Sequence, residues 1–164
     1  MINHANIRLA QAADVKSIAE ISRDVIEQGL EWRWTAERVL KCLRDSETNV
    51  IVSCDRTLLA GFAIMKYREK VAHLLLLAVH ETRRRQGVGS EMVTWLEETV
   101  KASGIRLITL ETRMENHAAQ YFYQHLGYQV VRTIPGYYQG REDAVQMEKD
   151  LWCPIRPGNK TGGR

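Results

Sequence analysis

Residues 84–89, with the sequence Arg-Arg-Gln-Gly-Val-Gly, place cationic side chains and two glycines between an apolar run and a predicted helix. The first turn of a helix offers unpaired backbone N–H groups and the positive end of the helix dipole, which together favour an anion such as a pyrophosphate. Glycine lets the backbone approach such a ligand closely and adopt positive φ. The alternative is a plain strand-to-helix turn with solvated arginines, and the segment alone does not decide between the two.

Two other phosphate-binding motifs fit this segment poorly. A Walker loop requires Gly-Lys followed by Ser or Thr, whereas Gly89 is followed by Ser90 and Glu91. The dinucleotide fingerprint G-x-G-x-x-G comes closer, since Glu111 ends the next predicted strand where a ribose-binding acid belongs. However, Met92 replaces its third small residue, and too little chain follows to complete the usual sheet. We therefore expect neither site.

The elements around the turn predict an α/β protein. Residues 71–79 are almost uniformly apolar, as in a strand covered on both faces. A helix over 88–102 and a strand over 105–112 complete a right-handed crossover with parallel strands.

The remaining elements lie on either side of this crossover. A strand at 7–9, helices from Asp14 to Gly29 and from Thr35 to Leu43, and a hairpin of strands 49–53 and 58–67 precede it. A helix capped by Asn116 and closing strands at 128–134 and 144–151, around a loop at 135–140, follow it. We expect one domain over residues 1–153 and a disordered tail at 154–164.

The pattern Arg84-x-x-Gly87-x-Gly89, after Leu77-Ala78-Val79, resembles the coenzyme A signature of the GNAT superfamily of N-acetyltransferases. This resemblance implies an α/β GNAT fold, a mixed central sheet whose parallel middle strands splay around the cofactor, with helices on both faces. It implies acetyl-CoA as co-substrate, with its pyrophosphate on the amides of residues 85–90 and its pantetheine arm along the preceding strand. The residues so implied are Leu77, Ala78, Val79, Arg84, Arg85, Gln86, Gly87, Val88, Gly89 and Ser90.

A second run, at 110–128, resembles the E-x-R-x-x-N-x-x-A-x-x-x-Y-x-x-x-G-[FY] pattern of the RimI-like ribosomal-protein N-alpha-acetyltransferases. By this resemblance Glu111 is the general base, Tyr123 is the general acid, and Asn116 holds the pantetheine or the helix start. The alternative for Glu111 is a strand-end carboxylate paired with Arg113 or Arg141, and the alternative for Tyr123 is core packing.

The sequence says less about which amine accepts the acetyl group than about the cofactor. Tyr137 and Tyr138 resemble a segment of enzymes that take peptide N-termini, and we expect them to contact the substrate. Trp32 and Trp34, in the turn between the first helices, suggest a lid or an aromatic wall to which the resemblance does not extend. We therefore expect a protein or peptide α-amine, with a small-molecule amine (a polyamine or an amino acid) as the alternative and a non-catalytic coenzyme A sensor as a third.

Composition excludes several other classes. The net charge of +3 is well below that of a dedicated nucleic-acid binder, and no apolar run approaches the length of a membrane span. The three cysteines and five histidines show no metal-ligand spacing. With no export signal and an odd cysteine count, we expect reduced thiols in a cytoplasmic protein, for which a homodimer is one open oligomeric state.

Overall fold

Seven strands form one mixed sheet in the order β1-β2-β3-β4-β5-β7-β6. A computed structural model describes residues 6–56 and 58–153, so the tail expected at 154–164 lies outside the described residues. The strands are β1 (Asn6–Leu9), β2 (Thr48–Asp55), β3 (Leu58–Tyr67), β4 (Val71–Val79), β5 (Leu107–Arg113), β6 (Gln129–Tyr138) and β7 (Glu142–Asp150). Only β4 and β5 pair in parallel among the described strands, and the other neighbours are antiparallel.

The α-helices are α1 (Val15–Ile21), α2 (Ala36–Arg44), α3 (Val88–Ala102) and α4 (His117–His125). The predicted first helix is α-helical only over α1, because residues 22–26 form a π-helical turn. The predicted caps are present: Thr35 Oγ1 accepts from Arg38 N at 3.4 Å, and Asn116 Oδ1 accepts from Ala119 N at 3.1 Å. In the described part of the chain, no helix is long and apolar enough to cross a membrane.

The sheet separates two hydrophobic layers. In one layer, α3 and α4 pack against apolar residues of β3, β4, β5 and β7. The buried members of this layer, from helices and strands together, include Met65, Leu74, Met92, Leu96, Ile108, Leu110, Tyr123 and Met147. The other holds α1 and α2 against β2 and β3, with Ile18, Val39, Val52, Phe62 and Ile64 among its members. Because strand side chains alternate between faces, polar residues of β4 and β5 that face away from α3 point toward the α1 and α2 side.

A β-bulge in β4 lies where the parallel strands β4 and β5 separate. Ile64 pairs with Leu76 and Met65 pairs with Leu74, so Leu75 is an extra residue opposite β3. Pairing of β4 with β5 extends only from Val71 to Leu74, and no β5 partner follows among the described residues. The predicted GNAT-type fold, with splayed middle strands and helices on both faces, is therefore confirmed.

The prediction of a loop at 135–140 is wrong. Strand β6 continues to Tyr138, which pairs with Glu142, and the connection is a short turn at 139–141. The register shifts between Ile134 and Tyr138, where Gly136 adopts φ +62° and donates its N–H to Asp143 Oδ1 at 2.8 Å. A Pro-Gly pair that reads as a turn is thus accommodated as an irregularity within the hairpin, because glycine adopts positive φ without strain.

Two fully buried serines differ in whether they have a partner. Ser22 Oγ donates to Glu27 Oε2 at 3.1 Å, whereas Ser53 Oγ has no hydrogen-bond partner in the described ranges. We expect Ser22→Ala to lower the free energy of unfolding by about 1–3 kcal/mol, since it removes the hydrogen bond to one oxygen, Oε2, of the buried Glu27 carboxylate. The matched variant Ser53→Ala should leave the free energy unchanged or slightly higher. Urea unfolding of both variants checks this, and equal losses would contradict it.

Candidate functional site

A cavity of about 750 Å³ opens where β4 and β5 separate. Its walls come from the second half of β4, the end of β5, the start of α4, the segment before α2, and the β6–β7 turn. The lining residues with polar or aromatic side chains include Glu27, Arg33, Trp34, Arg38, Glu111, Thr112, Arg113, Asn116, Tyr123, Tyr137, Tyr138, Gln139 and Glu142. Both predicted catalytic residues, Glu111 and Tyr123, therefore line the same space.

Glu111 lies on β5, directly beyond the last residue that pairs with β4. Its side chain is 8% exposed, and Oε2 lies 2.6 Å from His73 Nε2. Gln146 Nε2 donates to Oε1 at 3.4 Å. The expected alternative, an ion pair with Arg113 or Arg141, is not the pairing observed.

His73 was missed as a site residue, although the sequence carries a signal for it. It is the polar residue in the apolar run of β4, and it lies opposite Thr109 in the parallel register. Because strand side chains alternate, Glu111 on β5 points to the same face as His73.

Arg113 binds backbone carbonyl groups instead of pairing with Glu111, which was one alternative that the sequence left open. Its guanidinium donates to the carbonyl oxygens of Ile26 at 2.7 Å and Gln28 at 2.9 Å, and it lies 3.4 Å from Glu142 Oε2. The end of the π-helical turn is thereby fixed against β5 and β7, so one wall of the cavity is held by charge-assisted hydrogen bonds.

The segment between the π-helical turn and α2 is also fixed by two residues that the sequence did not single out. Buried Glu27 accepts through Oε1 from the backbone N–H of Arg33 at 2.7 Å and of Trp34 at 3.1 Å. Gln139, in the β6–β7 turn, accepts from Glu31 N at 3.0 Å and donates to Glu31 O at 2.9 Å. The two segments that flank the cavity are thus tied to each other.

Tyr123 lies on α4 and is 7% exposed. Its ring packs edge-on against Tyr128, with centroids 5.6 Å apart. Burial raises the pKa of Tyr123 well above its usual value, because the phenolate is poorly solvated there. The hydroxyl therefore stays protonated, and it makes no hydrogen bond to another described residue. The ring is packed in the core, as the alternative for this residue expected, while the side chain also lines the cavity.

Tyr137 and Tyr138 lie at the end of β6, and both line the cavity. Their rings are perpendicular, with centroids 5.0 Å apart. Partial burial, together with the neighbouring Glu111 carboxylate, raises the pKa of Tyr137 to about 12. Burial and the neighbouring Tyr137 and Glu111 raise the pKa of Tyr138 as well. Both hydroxyls are therefore protonated donors near the predicted base.

The two tryptophans are placed differently. Trp34 lines the cavity, and the guanidinium of Arg38 lies 3.9 Å from its ring centroid. Trp32 is 40% exposed and lies outside the lining; its Nε1 donates to Trp34 O at 3.1 Å, and Arg23 lies over its ring. Trp34 therefore belongs to the wall, whereas Trp32 supports the backbone that carries it.

The predicted anion-binding turn enters α3 with Gly87 at φ +83° and Arg85 at φ +61°. Within the described ranges, the amides of residues 85–90 donate to no backbone carbonyl. A Cβ at Gly89 would lie 3.1 Å from Phe122, which explains the small residue there. Arg83, which precedes the turn, pairs with Asp55 at 2.6 Å, so its charge is engaged within the protein.

The implied cofactor residues fall into two groups. Leu77 and Asn116 line the cavity, with Leu75 and Leu76 beside them. Ala78 is buried, and residues 84–90 lie outside the lining at the start of α3. Across the described residues, no group of three or more His, Cys, Asp and Glu side chains is arranged to hold a metal ion.

The chain is similar in sequence to known N-acetyltransferases. The ribosomal protein bS18-alanine N-acetyltransferase of Escherichia coli is 34% identical over 92 residues, which cover 54% of this chain and 62% of that protein. N-alpha-acetyltransferase daf-31 of Caenorhabditis elegans is 25% identical over 163 residues, 92% of this chain and 86% of that protein. The chain thus spans less than two thirds of the E. coli enzyme but most of the C. elegans one.

A solved structure shares the fold over nearly the whole described chain. NAA60 of Arabidopsis thaliana superimposes with a TM-score of 0.79 at 18% identity, covering 90% of this chain and 99% of that one. The sequence profile of the acetyltransferase (GNAT) family matches residues 15–128, which include β4, the glycine turn, α3, β5 and α4. The chain therefore belongs to the acetyltransferase (GNAT) family.

Proposed function

We propose that this protein transfers an acetyl group from acetyl-CoA to the α-amine of a protein or peptide N-terminus. The observation that carries the proposal is the cavity between the parted strands, because a carboxylate and a protonated phenol, Glu111 and Tyr123, line it together. The N-alpha-acetyltransferase relatives and the family assignment support the choice of reaction and acceptor.

The residues present fit acetyl-CoA. The unpaired amides of residues 85–90, at the positive end of α3, suit its pyrophosphate. Beside the cavity, β4 has left its β5 partner after Leu74, so the backbone groups on that edge of β4 can pair with the amides of the pantetheine arm. NAA60, which shares the fold, was solved in complex with acetyl-CoA. When bound, this co-substrate supplies a thioester carbonyl that a neutral amine attacks.

Glu111 would prepare the attacking amine. A terminal α-amine has an ordinary pKa near 8, so at neutral pH most of it is ammonium and must lose a proton before it is nucleophilic. Glu111 faces the cavity with its carboxylate and can accept that proton directly or through one water. A lysine side chain, with an ordinary pKa near 10.4, would require more of the same base.

Tyr123 would protonate the sulfur that leaves. A phenol of ordinary pKa about 10 and a thiol near 8.5 make this transfer modestly uphill in water. Burial raises the pKa of Tyr123 further, but the same burial disfavours the departing thiolate. The proton therefore moves between two groups that both lose solvation, and the phenol remains a donor throughout the working pH range.

Hydrogen bonds fix the walls of the cavity where the acceptor would enter. Arg113 and Glu27 hold the segment before α2, and Gln139 ties that segment to the β6–β7 turn. Tyr137 and Tyr138 offer hydroxyls to a peptide backbone on the same side. Hydroxyls placed beside the predicted base could bind the backbone that follows a terminal amine, which supports a peptide α-amine as the acceptor.

The acceptor assignment is tested by release of free thiol from acetyl-CoA. Peptides that differ in their first residue are compared with spermidine, lysine and the same peptides carrying a blocked N-terminus. We expect turnover with at least one free N-terminus and none after blocking. Turnover confined to small amines would establish the small-molecule alternative. Coenzyme A binding without turnover on any amine would establish a sensor and contradict the proposal.

The base role of Glu111 predicts a pH-dependent loss in Glu111→Gln. We expect kcat/KM to fall by about 10²–10⁴-fold at neutral pH, the usual contribution of such a group. The loss should shrink as pH rises toward 9, because the amine then deprotonates unaided. Glu148→Gln, a carboxylate on the neighbouring strand β7 outside the cavity lining, is the control. A loss independent of pH would refute the base role.

The acid role of Tyr123 predicts a loss of turnover in Tyr123→Phe without loss of folding. The substitution removes one hydroxyl that makes no hydrogen bond to the described residues, so the melting temperature should hardly change. We expect kcat to fall by roughly 10²-fold or more while the Kd of acetyl-CoA stays within a small factor. Tyr121→Phe, exposed on the same helix, is the matched control. Near-normal turnover by Tyr123→Phe would rule out the acid role.

A further inference from the structure

We propose that His73 is a positioning residue for Glu111. It donates its Nε2–H to the Glu111 carboxylate and, with Gln146, keeps that carboxylate directed into the cavity. This inference rests on the base role assigned to Glu111 in the proposed function.

The contact between the two side chains is short and sheltered. His73 Nε2 lies 2.6 Å from Glu111 Oε2, and the two side chains are 19% and 8% exposed. His73 itself is absent from the cavity lining, whereas Glu111 is part of it. The histidine therefore contacts the carboxylate from beside the cavity.

The position of this contact follows from the sheet. Parallel pairing places His73 opposite Thr109, and it ends at the pair Leu74 and Leu110. His73 is thus on the last paired stretch of β4, and Glu111 is the first residue of β5 beyond it. The hydrogen bond between His73 and Glu111 crosses this point. It therefore fixes the Glu111 carboxylate where backbone pairing between β4 and β5 has ended.

A second donor reaches the same carboxylate from β7. Gln146 Nε2 lies 3.3 Å from Thr109 Oγ1 and 3.4 Å from Glu111 Oε1. Arg132 Nε donates to Gln146 Oε1 at 2.6 Å, and because arginine can only donate, this contact sets the orientation of the amide. The Gln146 NH₂ group is consequently directed at Glu111, so His73 faces Oε2 of the carboxylate and Gln146 faces Oε1.

The direction of the short hydrogen bond follows from chemistry. An ionised carboxylate only accepts, so a nitrogen at 2.6 Å must carry the hydrogen. The other charged group that faces His73 is Lys66 on β3, and it is engaged by Asp45 at 3.2 Å. On the Glu111 side stand Tyr137, a protonated donor, and Arg113, which binds backbone carbonyls and Glu142. Glu111 is therefore the partner of the His73 ring.

The contacts with His73 and Gln146 fix the direction of the Glu111 carboxylate. An untethered Glu111 could rotate away from the amine, and a displacement of about 1 Å in such a group costs up to about 100-fold in rate. Loss of the donor at position 73 should therefore lower turnover without disturbing the coenzyme.

The kinetic test compares His73→Leu, which removes the donor, with His73→Gln, which retains an N–H donor of similar reach. We expect kcat to fall by up to about 100-fold in His73→Leu, with an unchanged KM for acetyl-CoA. His73→Gln should recover most of the loss. Lys66→Met, on the same face, is the control. Equal losses in both His73 variants, or a loss that lies in the KM for acetyl-CoA and not in kcat, would overturn the proposal.

A second measurement needs no acceptor. Nitrogen-15 NMR of the histidine rings reports which nitrogen carries the hydrogen. We expect the Nε2-protonated tautomer for His73 near neutral pH, with a slowly exchanging ring proton that Glu111→Leu abolishes. An Nδ1-protonated ring in the unaltered protein would refute the pairing even if every variant misfolded. If the tautomer is as expected but no amine is acetylated, the hydrogen bond stands and the proposed function falls.

Discussion

The feature on which the rest of the molecule depends is the end of parallel pairing between β4 and β5. Buried backbone N–H and C=O groups require partners, and these strands lose each other as partners after Leu74 and Leu110. On its far side β5 remains paired with β7 as far as Arg113, so only the edge facing β4 is released. The extra residue Leu75 lets β4 stay paired with β3 while it turns away. One irregularity thus creates both the cavity and a strand edge that a ligand can complete.

Charged groups around this gap are largely neutralised by the protein itself. Glu27 is bound by backbone amides, Arg113 by backbone carbonyls and Glu142, and Glu111 by His73 and Gln146. Fixed, hydrogen-bonded dipoles of this kind can stabilise charge that develops during a reaction without reorganising. The same contacts hold the flanking segments in place, so stability and site geometry have a common origin.

Most of the fold could be predicted from the sequence, because its signals are local. Apolar runs and glycine stops located the elements, and Thr35 and Asn116 cap helices as expected. The loop predicted at 135–140 failed because Pro-Gly also fits an irregular hairpin. The pairing of Glu111 with His73 could not be derived, since it depends on the register of two strands that are distant in the chain. The roles of Arg113 and Glu27 could not be predicted for a different reason. Most of their partners are backbone atoms, which leave no pattern in side-chain types.

We propose that the gap between the strands and the turn before α3 together hold one coenzyme. Titration of the protein with coenzyme A, followed through backbone amide resonances, is the decisive test. We expect saturable shifts for the amides of residues 85–90 together with those of residues 75–79, and little change in β1 and β2. Shifts confined to the turn, or centred away from both segments, would contradict it.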